Sequence, residues 1–303
     1  MKEEKIVLDI TSDMEEERID KVLAQCMDTL SRSFLQKLLK DGKVSVNGKA
    51  VKANYKVKES DRVEFEIPPA VEPEIAAEEI PLSVLYEDDD VLVVDKPKGM
   101  VVHPAAGHYS GTLVNAVMFH CKDNLSGING VLRPGIVHRI DMDTTGSIII
   151  CKNDLSHNEI AQQLKKHSIT RRYRAIVCGV VKEDDGMISA PIGRDKKDRK
   201  KMAVTADGKE AVTHFKVLRR FREHTYIECE LETGRTHQIR VHMASKGYPL
   251  IGDVVYGRGK SKYKCQGQCL HAMTLGFIHP VSKEYIETNA PLPEYFTHLL
   301  EVL

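Results

Sequence analysis

The sequence predicts an α+β protein in two unequal parts, a small N-terminal module and a larger C-terminal domain. The 303-residue chain exceeds what one small core needs. Apolar residues recur at helical spacing in two short runs near the start, then in strand-like runs along most of the remainder. Between these regions lies Pro68-Pro69 and an acidic stretch, with eight acids and no base from Val71 to Asp90. The expected divisions are a module over 13–70, an acidic linker over 71–82 and a domain over 83–303. Pro68, Pro69 and Pro73 suggest that the two parts have some independence.

In the module, Ile6, Val7, Leu8 and Ile10 predict a strand. Asp13 to Glu17 is an acidic helix start, suited to the helix dipole, and leads into Ile19, Val22, Leu23 and Cys26 at helical spacing. Ser31 is a candidate N-cap for a second helix bearing Phe34, Leu35, Leu38 and Leu39, which Asp41-Gly42 stops. Asn47-Gly48 after Val44-Ser45-Val46 predicts a hairpin, and Val63, Phe65 and Ile67 alternate as a last strand. In the domain, strands are expected at 84–86, 91–95, 147–151, 175–177 and 226–229. Helices are expected at Thr112–Met118, His157–Lys166 and Thr236–Met243.

Composition narrows the class. Hydrophobic residues at 42% and charged ones at 29% fit a soluble protein, and no apolar run reaches the ~20 residues of a membrane span. MKEEKIVLDI lacks the features of an export signal, so a cytoplasmic location is expected. Seven scattered cysteines argue against a disulfide framework, and Cys265, Cys269 and His271 match no usual zinc spacing. The 44 basic and 44 acidic residues cancel overall but segregate locally. From Arg18 to Lys58 there are ten bases and three acids, a local patch that a phosphate backbone would feel.

Four polar clusters could carry chemistry. RPGIVHRIDMDTTGSIIICK places His138, Arg139, Asp141 and Asp143 just before an apolar strand. A carboxylate beside arginine stays ionised and can act as nucleophile or base, although a salt bridge capping a turn would look the same. TGRTHQIRVHM gathers Arg235, His237, Gln238, Arg240 and His242, suited to holding phosphate or supporting a carboxylate. Its histidines, five apart, are a poor metalloprotease match, so a metal-dependent hydrolase is a lesser reading. Arg171-Arg172-Tyr173-Arg174 suits a nucleic-acid site with a stacking ring, or equally a strand edge with exposed charge. Residues 194–201 hold six bases and two acids, and read as a mobile loop able to grip phosphates or as a solvated charge run.

SRSFLQKLLKDGKVSVNGKAVKANYKVKESDRVEF resembles the S4 RNA-binding domain. The series DKPKGMVVHPAAGH, GTLVNAV, HRIDMDTTG, RRYRAIVCG, TGRTHQIRVHM, GDVVYG and LHAMTLGFIHP resembles, in order and spacing, the RluA family of RNA pseudouridine synthases. With an S4 domain in front, it looks like the RluC and RluD type, which act on large-subunit (23S-type) ribosomal RNA. Ile140 stands where leucine is usual and Arg172 where lysine is frequent; neither change removes a reactive group.

The resemblance implies a catalytic domain on a mixed, mostly antiparallel sheet with the cleft across its centre. It implies Asp141 as the essential carboxylate, Tyr173 stacking on the base and acting in proton transfer, and Arg240 pairing with Asp141. Arg139 would hold the flipped nucleotide and Ile239 would wall the pocket, while Arg32, Lys37 and Lys40 of the S4 module would contact RNA. The reaction consumes nothing, so no metal or other cofactor is expected, and the chain is expected to act as a monomer away from membranes. Transfer RNA is the alternative substrate, and a catalytically silent RNA-binding assembly factor the alternative class.

Overall fold

The computed structural model describes residues 4–27, 32–67, 75–104, 107–122, 124–126, 134–199, 201–257, 259, 262–263 and 265–303. The chain divides into two compact units, Met1–Glu72 and Pro73–Leu303. In the first, strand β1 (Glu4–Asp9) is followed by helices α1 (Ile19–Cys26) and α2 (Arg32–Lys40), then strands β2 (Val44–Val46), β3 (Lys49–Ala50) and β4 (Arg62–Ile67). The strands form one antiparallel sheet in the order β1-β4-β2-β3. β1 pairs with β4 along its whole length, so this unit starts upstream of the expected boundary at 13. Asn47 (φ 50) and Gly48 (φ 75) make the tight turn between β2 and β3, with both residues left-handed as a twist-matched hairpin requires. Leu23, Leu35, Leu38 and Leu39 of the helices bury against Val44, Val63 and Phe65.

The acidic run before α1 is not a continuous helix start. Ser12–Met14 is a 3-10 turn and Glu16 is left-handed (φ 64), which breaks the helix until Ile19. Ser31 and the three prolines at 68, 69 and 73 lie outside the described residues.

The second unit contains strands β5 (Ser83–Glu87), β6 (Val91–Lys96), β7 (Thr145–Cys151), β8 (Thr170–Cys178), β9 (Asp185–Ser189), β10 (Ile192–Arg194), β11 (Met202–Val204), β12 (Val212–Arg220), β13 (His224–Leu231), β14 (Leu270–Ile278) and β15 (Tyr285–Asn289). Its helices are α3 (Leu113–Cys121), α4 (Asp154–Lys165), α5 (Gln238–Ser245) and α6 (Glu294–Val302). Nine strands form one mixed sheet in the order β5-β6-β7-β14-β8-β13-β12-β9, with β15 on β14. Among the described residues, only the β7–β14 pairing is parallel. β10 and β11 form a separate hairpin.

β6 and β7 carry continuous apolar runs, Val91–Val94 and Ile148–Cys151, because both faces are covered there. Leu92, Val94, Ile148 and Ile150 meet Leu113, Val114 and Val117 of α3, while Val91, Val93, Ile149 and Cys151 meet Ile160 of α4. The end of the acidic stretch is also bound here. Ile75 is buried in the α3 cluster, Asn115 donates to the Ala76 carbonyl (2.8 Å), and the Glu78 amide donates to the Asn115 carbonyl (3.0 Å). Among the described residues, no helix is long and apolar enough to cross a membrane.

Candidate active site

β8 lies between β14 and β13, so RRYR is not at a sheet edge. Strand alternation divides it in two. Arg172 and Arg174 pair with Glu230 and Glu228 across on β13. Arg171 and Tyr173 turn to the other face, where both are buried and line a cleft of about 570 Å³. Arg171 donates to the carbonyls of Glu232 (2.9 Å) and Leu231 (3.5 Å), which pins the strand to the loop leading into α5.

Asp141 enters the same cleft from the turn before β7. That turn is fixed from beneath. The Thr144 amide bonds the Asp141 carbonyl at 3.0 Å, and Lys96, fully buried, donates to the carbonyls of Pro97, Met100 and Met142 at 2.8–2.9 Å. Burial pushes the Lys96 amine down to about 7, against the pull of Asp143 and Asp141. The histidine of HRID plays a different part from its neighbours. Its Nε2 accepts the Ile149 amide at 3.1 Å, and burial, then Arg171, pushes its pKa down to about 3. His138 is thus an uncharged pin to β7. Asp143 is not among the cleft-lining residues and packs by Gly267. Arg139 is exposed at the cleft, with no ion-pair partner among the described residues.

Arg240 of α5 completes the centre. Its Nη1 donates to Asp141 Oδ2 at 2.9 Å, while Nε and Nη2 clasp Asp253 at 2.7 and 3.0 Å. Asp253 also accepts the amides of Val255 and Tyr256. Burial would raise the Asp253 carboxyl, but the bond and charge of Arg240 outweigh it and lower it. Burial would likewise lower Arg240, and the two carboxylates more than reverse that. Ile239, 3% exposed, supplies an apolar wall. Burial raises the Tyr173 phenol, so it is neutral in the cleft.

Gln238 and His242 of TGRTHQIRVHM are structural. Gln238 bonds Val212, Thr213, Thr233 and Arg235, and His242 bonds the Thr213 hydroxyl and the Ala190 carbonyl, so both tie α5 to its surroundings. His242 is thereby separated from His237, which faces Tyr256 and Asp141. Cys265 and Cys269 are core residues, and His271 bonds Thr145 and the Ala290 carbonyl. Asp88, Asp90 and His279 cluster outside the cleft. There His279 Nδ1 accepts the Ser282 amide, which leaves the ring proton on Nε2 facing Asp88 in place of a metal-binding lone pair. In the basic run between β10 and β11, Asp195 accepts the amides of Lys197 and Asp198, while Lys200 lies outside the described residues. In the other unit, Lys40 is exposed at the end of α2, while the side chains of Arg32 and Lys37 lie outside the described residues.

The structure thus brings Arg139, Asp141, Tyr173, Ile239 and Arg240 to one cleft. Asp253, Tyr256 and the special place of His237 were not foreseen. GDVVYG was the trace of Asp253 and Tyr256 in the sequence, and TGRTHQIRVHM that of His237.

Residues 90–245 match the family model for RNA pseudouridylate synthase, and residues 17–63 match that of the S4 domain. The chain belongs to the RNA pseudouridylate synthase family and is an RNA pseudouridine synthase with an S4 RNA-binding domain. It is 56% identical to "Uncharacterized RNA pseudouridine synthase YlyB" of Bacillus subtilis, over 98% of both chains. It is 45% identical to "Ribosomal large subunit pseudouridine synthase D" of Zymomonas mobilis, over 97% of this chain and 96% of that one. Its fold is similar to that of human RNA Pseudouridylate Synthase Domain Containing 1, with TM-score 0.58 and 22% identity over 75% of this chain and 96% of that chain.

Proposed function

We propose that this enzyme isomerises uridine to pseudouridine in large-subunit ribosomal RNA, with Asp141 as the catalytic carboxylate. One observation carries the catalytic assignment. Asp141 is the carboxylate that faces the cleft, with Oδ2 held by Arg240 and Oδ1 free of hydrogen bonds among the described residues. An ionised carboxylate with one oxygen anchored and the other open is equipped to attack or to take a proton. The substrate assignment rests on the S4 domain and on relatives named for the ribosomal large subunit.

The target uridine must leave its helix to reach Asp141, at a cost of a few kcal/mol. A cleft of about 570 Å³ falls within the usual range for a bound small molecule. In this reading Tyr173 stacks on the uracil and acts in proton transfer at C5, Ile239 closes the pocket, and exposed Arg139 holds the extruded nucleotide. The N1–C1′ bond breaks, the base turns, C5 bonds to C1′, the C5 proton is released and N1 takes up a proton, so the product is an isomer of uridine. Nothing is oxidised or consumed, so the reaction requires no metal or nucleotide, and in this reading the enzyme acts as a monomer. Arg32, Lys37 and Lys40 contact the RNA backbone from the S4 module.

The test is tritium release from ribosomal RNA transcripts labelled at uridine C5, in chelator, by wild type and Asp141→Ala. Release by wild type alone is expected. Release from transfer RNA in place of ribosomal RNA would overturn the substrate, and release by Asp141→Ala would overturn the catalytic residue.

A further inference from the structure

Two side chains beside Asp141 have no part in the reaction as described so far. His237 caps α5 from the left-handed region, φ 58, which is uncommon for a side chain of its size. Its ring reaches the cleft, with Nε2 3.8 Å from Asp141 Oδ1. Its other nitrogen, Nδ1, lies 2.9 Å from the Tyr256 hydroxyl. That hydroxyl accepts the backbone N–H of Met202, also at 2.9 Å. The phenol proton needs an acceptor, Met202 offers only a donor, and among the described residues Nδ1 is the acceptor in reach, so that proton goes to Nδ1. Nδ1 is then an acceptor, and the single proton of the uncharged imidazole sits on Nε2, on the side of Asp141. Burial lowers the affinity of the ring for a second proton, ahead of the opposing pull of Asp141. The Tyr256 ring meets His237 edge-on at 5.6 Å and lies 5.1 Å from the Arg240 guanidinium. One phenol therefore touches both groups that flank Asp141.

We propose that His237, fixed by Tyr256 with its proton on Nε2, is a positioning residue that keeps Oδ1 of Asp141 turned into the cleft as the reacting oxygen. This rests on the reading of Asp141 as the catalytic carboxylate. The two oxygens of a carboxylate are equivalent until their partners distinguish them. Arg240 takes Oδ2 at 2.9 Å in a closed hydrogen bond. The Nε2–H at 3.8 Å attracts Oδ1 from beyond hydrogen-bond length, so the lone pairs of that oxygen remain available. The opposite tautomer would aim a nitrogen lone pair at the same oxygen and repel it. The Tyr256 hydroxyl decides between the two.

The competing role for His237 is purely structural, as the left-handed cap of α5, and side-chain chemistry separates the two. Asparagine accepts left-handed backbone better than glutamine does. Only glutamine extends far enough to place an amide N–H near the Nε2 position. Tritium release would be compared for H237A, H237N, H237Q and Y256F, with D141A as control. H237A and H237N are expected to lose kcat roughly tenfold to a hundredfold with KM within about twofold, as for partners that orient an active group. H237Q should recover most of the loss, and Y256F should fall between. In parallel, NMR of 15N-histidine-labelled wild-type enzyme should show His237 as a single Nε2–H tautomer, a readout that needs no variant to fold. The proposal is overturned if H237N matches or exceeds H237Q, if the loss is in KM, or if the wild-type ring carries its proton on Nδ1. Turnover by D141A would withdraw the underlying reading of Asp141, and this proposal with it.

Discussion

Asp253 is the anchor of the centre, and Asp253→Ala measures what that anchor contributes. Its side chain is 0% exposed and accepts four hydrogen bonds, two from Arg240 and one each from the amides of Val255 and Tyr256. Truncation leaves a guanidinium that is 5% exposed without its main counter-charge. Breaking a buried pair from one side costs about 3–5 kcal/mol, mostly because the remaining charge is uncompensated. With a urea m-value on the order of 3 kcal/mol per M, the midpoint of the C-terminal unit should fall by about 1–1.7 M. The chain has no tryptophan, so circular dichroism or tyrosine fluorescence is the probe. The sign with pH is fixed by the lowered Asp253 carboxyl. Its contribution is complete above the ordinary aspartate value near ~3.9 and is lost as pH falls through the lower folded value. The difference between wild type and variant should therefore be full at neutral pH and shrink in acid. A midpoint shift under about 0.3 M, with wild-type tritium release, would refute the anchoring role, since that corresponds to roughly 1 kcal/mol.

The pin made by His138 gives a pH signature of the same sign at milder pH. Its folded pKa is about 3 against an ordinary 6.5, so between those values the unfolded chain binds a proton that the folded chain does not. Stability must fall as pH drops below 6.5, by at most ~1.4 kcal/mol per unit, or about 2 kcal/mol by pH 5. In His138→Gln the amide oxygen can still accept from Ile149, so its unfolding free energy should fall by about 2 kcal/mol less than that of wild type over that range; parallel curves would remove the pin. Gly234→Ala tests the clasp on β8. A Cβ there would stand 2.6 Å from Arg171 Nη1, whose neighbouring Nη2 is bound to two carbonyls. Overpacking of about 1–3 kcal/mol should follow, read as a lower thermal midpoint, and an unchanged midpoint would show that the arginine yields freely.

What was legible in the sequence was mainly local. Asn47-Gly48 specifies its hairpin through left-handed backbone, and the run from Ser147 to Cys151 specifies a strand covered on both faces. The RRYR segment was harder, because four consecutive polar residues look the same at an edge as in the centre. Its resolution was encoded far away. Glu228 and Glu230 alternate on β13 at the same period as Arg172 and Arg174 on β8, across more than fifty positions. A period-2 charge match between the two segments was the available signal. The acidic run before α1 misled for another reason. Acids suit a helix N-terminus through the dipole, but they also suit a turn, and the left-handed Glu16 decides between the two only through its contacts in the fold: its amide is bound to the Val57 carbonyl.

The shared arginine explains why the site needs Asp253 as well as Asp141. One guanidinium between two carboxylates leaves a net charge of minus one in a largely buried setting, an arrangement that apolar side chains could replace at little cost to stability. Its value is in how it distributes the charge. Asp253, fully buried and bonded through both oxygens, takes two of the guanidinium's donors and leaves Nη1 for Asp141. If Arg240 faced Asp141 alone, a bidentate clasp would engage both oxygens and quench the group as a nucleophile or base. Asp253 therefore rations the cation: enough contact to hold and aim Asp141, and too little to engage both of its oxygens. The surplus charge then belongs to the side chain that is 17% exposed to the cleft, while the fully enclosed one is neutralised.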